Sequence, residues 1–193
     1  VASNWCGGAV PTSTTDVSIP NVTNKPVIGT AGGTCRNIII APSSSLTITG
    51  ANTLTVGGNW TNNGTFTYNT SSVVFNGTAQ TIAGNATTTF YNLTLSGSDA
   101  KTLTTVPTIS SNFTLSGSAT LTPTTTFTVS GTTTLSGTSQ MILGAANLLS
   151  ATPVQMNGGT FRTGSGDGYS ETVGTLALTD NSTIDLGYSD HTL

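Results

Sequence analysis

Charged residues are scarce in this sequence: they make up 6% of its 193 residues, with four cations and seven anions. Proteins that bind nucleic acids use several Lys or Arg side chains to displace counterions from phosphates, and anionic membranes attract basic clusters. No apolar run approaches the roughly 20 residues that cross a bilayer. The sequence therefore predicts no nucleic-acid partner and no insertion into a membrane.

Residue types that carry catalysis are also few. His191 is the single histidine, so we expect no transition-metal site. General acid–base catalysis requires two positioned groups with separated pKa values, and the nearest candidate pairs are Asp167 with Glu171 and Asp180 with Asp185. Turn formation and solubility explain these carboxylates more simply. We therefore expect no catalytic residues and no cofactor, and we expect that the protein is not an enzyme. The hypothesis of a carbohydrate-active β-helix enzyme is kept only as the third alternative.

Calcium binding would depend on the same acidic residues. Asp167, Asp180 and Asp185 are weak candidates for Ca²⁺ ligands, with Asp190 close by in the sequence. Calcium takes about six to eight oxygen ligands, and no acidic turn recurs along the chain to supply them. The sequence therefore predicts no metal site.

Cysteine occurs twice, as Cys6 and Cys35. A pair near one end of a low-charge chain favours an oxidising compartment and one disulfide. Two reduced thiols are the alternative. The disulfide would attach residues 1–36, which also contain Trp5, to the rest of the chain.

Strand-forming residues dominate what remains. The chain is rich in Thr, Ser, Asn and Gly, with 23 Gly, and poor in the good helix formers. β-branched residues such as Thr favour strands. Such a polar composition also occurs in disordered chains. Disorder is excluded here because apolar residues recur at fixed spacing and the mean hydropathy is slightly positive, at +0.09.

One six-residue phrase recurs along the chain. It occurs as NLTLSG at 92–97, NFTLSG at 112–117 and TTTLSG at 132–137, in copies twenty residues apart, with weaker copies at 53–58, 72–77 and 153–158. A fixed period of this size is typical of a solenoid. We predict an all-β, right-handed parallel β-helix with rungs of about 20 residues and three strands each.

Alternation within the phrase separates an inner face from an outer face. The predicted inward pairs are Ile38/Ile40, Leu54/Val56, Val73/Phe75, Leu93/Leu95, Phe113/Leu115, Thr133/Leu135, Val154/Met156 and Leu176/Leu178. The outward residues form a candidate surface-binding face of Thr53, Thr55, Asn92, Thr94, Asn112, Thr114, Thr132 and Thr134. Asn and Thr stacked in this way can hydrogen-bond along the axis. The simpler interpretation is that Thr is a good outward strand residue.

Two regions follow from these patterns. Residues 1–36 do not follow the repeat and are predicted to be an N-terminal cap, with Trp5 over the first coil. Residues 37–193 are predicted to be a solenoid of about eight rungs. Because no capping sequence follows Thr175, we expect the C-terminal coil to be truncated or to stack end to end.

Several stretches resemble a known group of proteins. Residues 4–12 (NWCGGAVPT), 15–20 (TDVSIP) and 52–97, with GNWTNNGTF and VVFNGTAQTI, resemble repetitive surface proteins of Bacteroidetes-type bacteria. Residues 176–187 (LALTDNSTIDLG) are similar to repeats of autotransporter passengers. The resemblance implies a large, secreted, adhesin-like β-solenoid, often exported by the type IX pathway, and it implies no catalytic residues.

The expected function is a structural or adhesive rod segment of a secreted, cell-surface or extracellular filament protein. Its expected partners are a second copy or a continuing chain at the C-terminal coil, together with glycans or surfaces. The alternative function is a ligand-binding solenoid that binds ice or glycans through the Thr/Asn face.

Overall fold

The computed structural model describes residues 5–6 and 8–188, and this part of the chain contains twenty β-strands and no helix. Within it, therefore, no helix is long and apolar enough to cross a membrane. Every strand pairing is parallel. The predicted all-β parallel solenoid is confirmed.

The strands stack on three faces. The repeat face consists of β3 (Gly33–Cys35), β6 (Thr53–Val56), β9 (Ser72–Phe75), β12 (Asn92–Leu95), β15 (Phe113–Leu115), the first parts of β17 (Thr133–Ile142) and β18 (Val154–Arg162), and β19 (Leu176–Leu178). The second face consists of β1 (Val17–Ile19), β4 (Ile38–Ile40), β7 (Trp60–Asn62), β10 (Gln80–Ala83), β13 (Ser98–Leu103), β16 (Ser118–Leu121), the last parts of β17 and β18, and β20 (Thr183–Asp185).

The third face is less continuous. It contains β2 (Val27–Ile28), β5 (Ser45–Ile48) and β8 (Thr65–Thr67) in one sheet, β11 (Thr89–Phe90) and β14 (Thr108–Ile109) in another, and single bridges from Ile109 to Val129 and from Phe127 to Leu149. On the repeat face, Leu93 pairs with Val73 and with Phe113. Successive coils are therefore about twenty residues apart, as the sequence repeat predicts.

The core is the column of inward side chains between the three faces. The predicted inward residues from Leu54 to Met156 are buried, and Thr133 takes its place among them at 2% exposure. The core contains an aromatic cluster in which Trp60 contacts Phe66, Phe75 and Phe90 edge-on, at ring-centroid distances of 5.0, 6.4 and 5.5 Å. Such edge-to-face contacts are favourable between aromatic rings.

The prediction for Leu178 was wrong. Its side chain is 56% exposed, and Leu176 is partly buried. Strand β19 pairs only with β18 among the described strands. Its side chains therefore lack the neighbouring coil that buries the corresponding residues elsewhere.

The assignment of the first repeat strand was also wrong. Ile38 and Ile40 are inward, but their strand β4 belongs to the second face, where it pairs with β1 and β7. The repeat-face strand of that coil is β3, whose residue Gly33 pairs with Leu54. Gly33 carries no side chain because Ile28 occupies the space, its Cδ1 being 3.2 Å from where a Cβ would stand. Without an apolar residue there, the sequence pattern of β3 was not recognised.

The parallel pairing begins before residue 37. Strands β1, β2 and β3 pair with β4, β5 and β6 in the same order as all later coils. Residues 17–35 therefore contribute strands to the stack, while residues 8–16 lie outside the strands. Trp5 is partly buried and packs against the core.

The predicted Cys6–Cys35 disulfide is wrong, because both thiols are free. Cys35 is the inward residue at the end of β3 and is 1% exposed, in register with Val56. Cys6 is exposed. Strand alternation therefore directs the Cys35 thiol into the core, where burial raises its pKa to about 12, with a smaller contribution from Asp16.

Candidate functional site: the outward columns and the buried corner

The outward threonines of the repeat face lie in one column. Strand pairing aligns Thr34, Thr55, Val74, Thr94, Thr114, Thr134 and Gln155 in that order. Adjacent coils of a parallel sheet are about 4.8 Å apart. The predicted column is thus present and in register, although Val74 interrupts it and its threonines from Thr55 to Thr134 are only half-exposed.

The neighbouring column of Thr53, Asn92, Asn112 and Thr132 is used differently. The Oδ1 of Asn92 accepts a hydrogen bond from the main-chain N–H of Asn112 at 3.2 Å. The Oδ1 of Asn112 accepts one from Thr132 at 3.0 Å. These amides therefore join successive coils, as the predicted hydrogen-bonding along the axis requires. Their carbonyl oxygens are already engaged and are poor candidates for contacts with a ligand.

A second ladder, in which side-chain oxygens also accept main-chain N–H groups of the next coil, lies where the chain enters the strands of the second face. The Oδ1 of Asn37 accepts from the main-chain N–H of Asn59 at 2.7 Å, and the Oδ1 of Asn59 accepts from Thr81 at 2.9 Å. Asp16 begins this ladder, since its Oδ1 accepts from Asn37 at 3.2 Å and its carboxylate also binds Arg36. The hydrogen bond from Arg36, followed by those from Asn37, holds the pKa of Asp16 well below its usual range. This ladder was not predicted, although Asn recurs at 37 and 59.

The candidate carboxylates do not converge on one point. Glu171 is 2% exposed, and its Oε2 accepts from the main-chain N–H of Leu148 at 2.7 Å. Asp180 accepts from the next main-chain N–H in its own turn. Asp185 forms a salt bridge with Arg162 at 2.9 Å, and the N–H of Gly187 is the main cause of its lowered pKa. Each of these three groups has a structural partner.

The calcium candidates gain no support from this arrangement. Among residues 5–6 and 8–188, no group of three His, Cys, Asp or Glu side chains is placed to hold a metal ion. Asp167, Asp180 and Asp185 are therefore not brought together as ligands. Asp190 and His191 lie outside the described residues.

A buried polar pair lies at the corner between the repeat face and the second face. Gln80 and Lys101 are paired residues of β10 and β13, and they are 3% and 4% exposed. The Nζ of Lys101 donates to the Oε1 of Gln80 at 2.8 Å and to the carbonyl oxygen of Gly77 at 2.6 Å. Burial lowers the pKa of Lys101 to about 8, and the charge of Asp99 opposes this shift only in part.

The sequence alone identifies Lys101 only as one of four cations. Lys101 and Leu103 are alternate residues of β13, and alternate residues of a strand share a face. This alternation was the sequence signal that Lys101 occupies an inward position. Lys101 occupies a position where the following coils place apolar residues, since it pairs with Leu121 and Leu121 pairs with Met141. A buried cation that forms no salt bridge with a carboxylate in the described part of the chain is an exception that requires explanation.

Comparison of the chain with protein-family models, with curated proteins and with solved structures found no match. The β-solenoid part of the sequence resemblance is established by the strand pairing alone. The bacterial group and its secretion pathway stay predictions from the quoted motifs.

Proposed function

We propose that this chain is a structural, adhesive rod segment of a secreted cell-surface or extracellular filament protein. The observation that carries the proposal is the uninterrupted stack of eight strands on the repeat face, from β3 to β19. At about 4.8 Å per coil, such a stack is about 35–40 Å long. Its physical task is to hold attached segments apart at a defined distance.

The side chains support a rod in two ways. Inward residues fill the interior with an almost continuous apolar column. At the corners, Asn side chains accept hydrogen bonds from main-chain N–H groups of the next coil. These bonds add to the hydrogen bonds between the strands. Low charge suits this role, because the stack is held by hydrogen bonds and burial, with salt bridges only at Asp16–Arg36 and Arg162–Asp185 in the described part.

The proposal includes a partner at the outer edges of β19 and β20. In the described part of the chain these strands pair only with β18, and Leu178 is 56% exposed beside them. Unpaired strand edges with apolar side chains invite further pairing. The partner is one more coil, supplied by a continuing chain or by a second copy.

Single-molecule force spectroscopy tests the rod. The chain is inserted between two marker domains of known unfolding force and pulled from its two ends. A rod segment is expected to unfold at a defined force, in steps whose lengths are multiples of one coil. Extension at low force without steps would contradict the structural role.

Light scattering over a concentration series tests the partner at the outer edge. The variant Leu178→Lys is compared with the matched variant Val27→Lys, at another exposed apolar site. Association that weakens only in Leu178→Lys supports pairing between two copies. A monomer mass at every concentration would exclude a second copy as the partner. A continuing chain would then be the remaining candidate.

A second function is supported by the in-register column of Thr55, Thr94, Thr114 and Thr134. A regular column of hydroxyls is suited to binding ice or a glycan. Thermal hysteresis and glycan-array binding test it, with Thr114→Lys on the column and Thr120→Lys on the second face as matched variants. Activity that only Thr114→Lys removes would support the binding role; inactivity of the unmodified protein in both assays would reject it.

A further inference from the structure

We propose that Gln80 and Lys101 form an intramolecular amide cross-link, in which the Lys101 amine replaces the Gln80 carboxamide nitrogen and ammonia is released. The bond would join two successive coils at the corner between the repeat face and the second face. It goes beyond the rod function, which does not depend on it.

The two reacting atoms are already close. The Nζ of Lys101 is 2.8 Å from the Oε1 of Gln80. Since a C=O bond is about 1.2 Å long, Nζ is at most about 4 Å from the carbonyl carbon Cδ. Near-attack geometries have the reacting atoms about 3–3.5 Å apart, so Nζ has to approach Cδ by at most about 1 Å.

The carboxamide is held in one orientation by four hydrogen bonds. Its Oε1 accepts from the N–H of Gly77 at 2.8 Å as well as from Lys101. Its Nε2 donates to the carbonyl oxygens of Val56 at 2.9 Å and Gly58 at 2.6 Å. The Gly77 N–H therefore points at the oxygen on which negative charge develops during attack, as in an oxyanion hole.

The amine is unusually able to act as a nucleophile. It is buried, and no carboxylate forms a salt bridge with it in the described part of the chain. The facing strands β10 and β16 carry no charged side chain, and among the described residues Asp99 on β13 is the charged group whose field acts on the amine. Burial lowers the pKa of Lys101 to about 8, so a sizeable fraction of the amine is neutral near neutral pH.

The reaction balances without a co-reactant. The lone pair of neutral Nζ forms a bond to Cδ, and the C=O π electrons move to Oε1. The proton that Nζ then releases goes to Nε2, the Cδ–Nε2 bond breaks, and ammonia leaves as the C=O bond re-forms. The low exposure of both residues keeps water from competing for Cδ. Fixed orientation can replace a very high concentration of free amine, on the order of 10⁵ M or more.

The test is intact-mass and peptide-mass measurement of the folded protein after incubation at pH 9 and at pH 6. Trypsin cleaves after Arg36, Lys101 and Arg162, so the unmodified chain gives fragments 37–101 and 102–162. The cross-linked chain gives a single fragment 37–162 that is lighter by one ammonia. We expect this product at pH 9, and its formation to slow about tenfold per pH unit below the pKa.

Variants distinguish the cross-link from loss of ammonia at Asn-Gly sequences, which occur at Asn63, Asn76 and Asn157. Gln80→Met and Lys101→Met are both expected to lose no more ammonia than these Asn-Gly sequences release. Lys25 and Asn21 are the internal control, because they make the same kind of contact at 2.7 Å at a site that is not fully buried: Asn21 is exposed and Lys25 is only partly buried. Complete cleavage after Lys101 in the pH 9 sample, or equal ammonia loss in Lys101→Met, would overturn the proposal.

Discussion

The main-chain N–H of Asn112 donates to the side-chain Oδ1 of Asn92, one coil earlier, at 3.2 Å. Thr132 makes the same bond to Asn112. Each amide thus satisfies a main-chain donor at a corner, where strand pairing has ended or not yet begun. This relationship makes asparagine a structural residue of the repeat and only secondarily a surface residue.

Removing one of these amides tests that conclusion. In Asn112→Ala, the N–H of Thr132 loses its acceptor, and we expect the free energy of unfolding to fall by about 1 kcal/mol. Asn112→Asp keeps an oxygen acceptor of the same size and is expected to lose less. Urea unfolding of both variants measures the difference. Equal stability of Asn112→Ala and the unmodified protein would show that water replaces the bond.

Gly97 is predicted to be intolerant of any side chain. Its φ is +79°, where other residues are strained by about 1–2 kcal/mol, and a Cβ would overlap the carbonyl oxygen of Gly77 in the preceding coil. Gly97→Ala is therefore expected to lower stability by about 2 kcal/mol or more. Gly166→Ala is the matched control, because no atom lies within 4 Å of its Cβ position. A similar shift of the thermal midpoint in both variants would contradict this explanation.

Glu171 is predicted to act as a replacement for a strand. No strand is present between β18 and β19 on the third face, and the Glu171 carboxylate accepts the N–H of Leu148 at 2.7 Å and that of Thr172 at 3.1 Å. Glu171→Ala leaves a buried donor unsatisfied, which costs about 1–3 kcal/mol. Glu171→Gln retains one acceptor oxygen and is expected to lose less. Hydrogen exchange at the Leu148 amide is expected to accelerate in Glu171→Ala. Exchange rates at the other amides show whether the loss of stability is confined to this region.

The repeat made the fold predictable, because a twenty-residue period combined with strand alternation leaves few arrangements of the chain. Leu93 and Leu95 were correctly placed inward for this reason. Prediction failed where a residue departed from the period: Gly33 hid the first repeat strand, and Lys101 occupied an inward position as a cation. Cys35 shows the same limit, since spacing alone cannot tell whether a thiol points to a partner or into the core.

Stability above pH 8 is predicted to depend on two buried groups with opposite effects. The pKa of Lys101 is lowered by burial from 10.5 to about 8 in the folded state, so between these values the unfolded chain binds more protons. Stability contributed by Lys101 therefore rises over that range, by up to about 3 kcal/mol at roughly 1.4 kcal/mol per pKa unit.

Cys35 acts in the other direction. Burial raises its pKa from 9.0 to about 12, so between these values the unfolded chain has already lost a proton that the folded chain keeps. Stability contributed by Cys35 is complete below pH 9 and falls above it. The unmodified protein should therefore gain stability from pH 8 to 9 and change little from 9 to 10.5, where the two effects nearly cancel.

Two variants separate these effects. Lys101→Met is expected to lose the rise, so that its stability only falls above pH 9. Cys35→Val is expected to lose the fall, so that its stability rises up to about pH 10.5. Urea midpoints at each pH are compared between variants, because the contributions of groups common to all of them cancel in the differences. The protein is kept below pH 7 until measurement, since cross-linking to Gln80 would remove the amine that titrates. Parallel profiles for the unmodified protein and Lys101→Met would show that Lys101 has an ordinary pKa and reaches water.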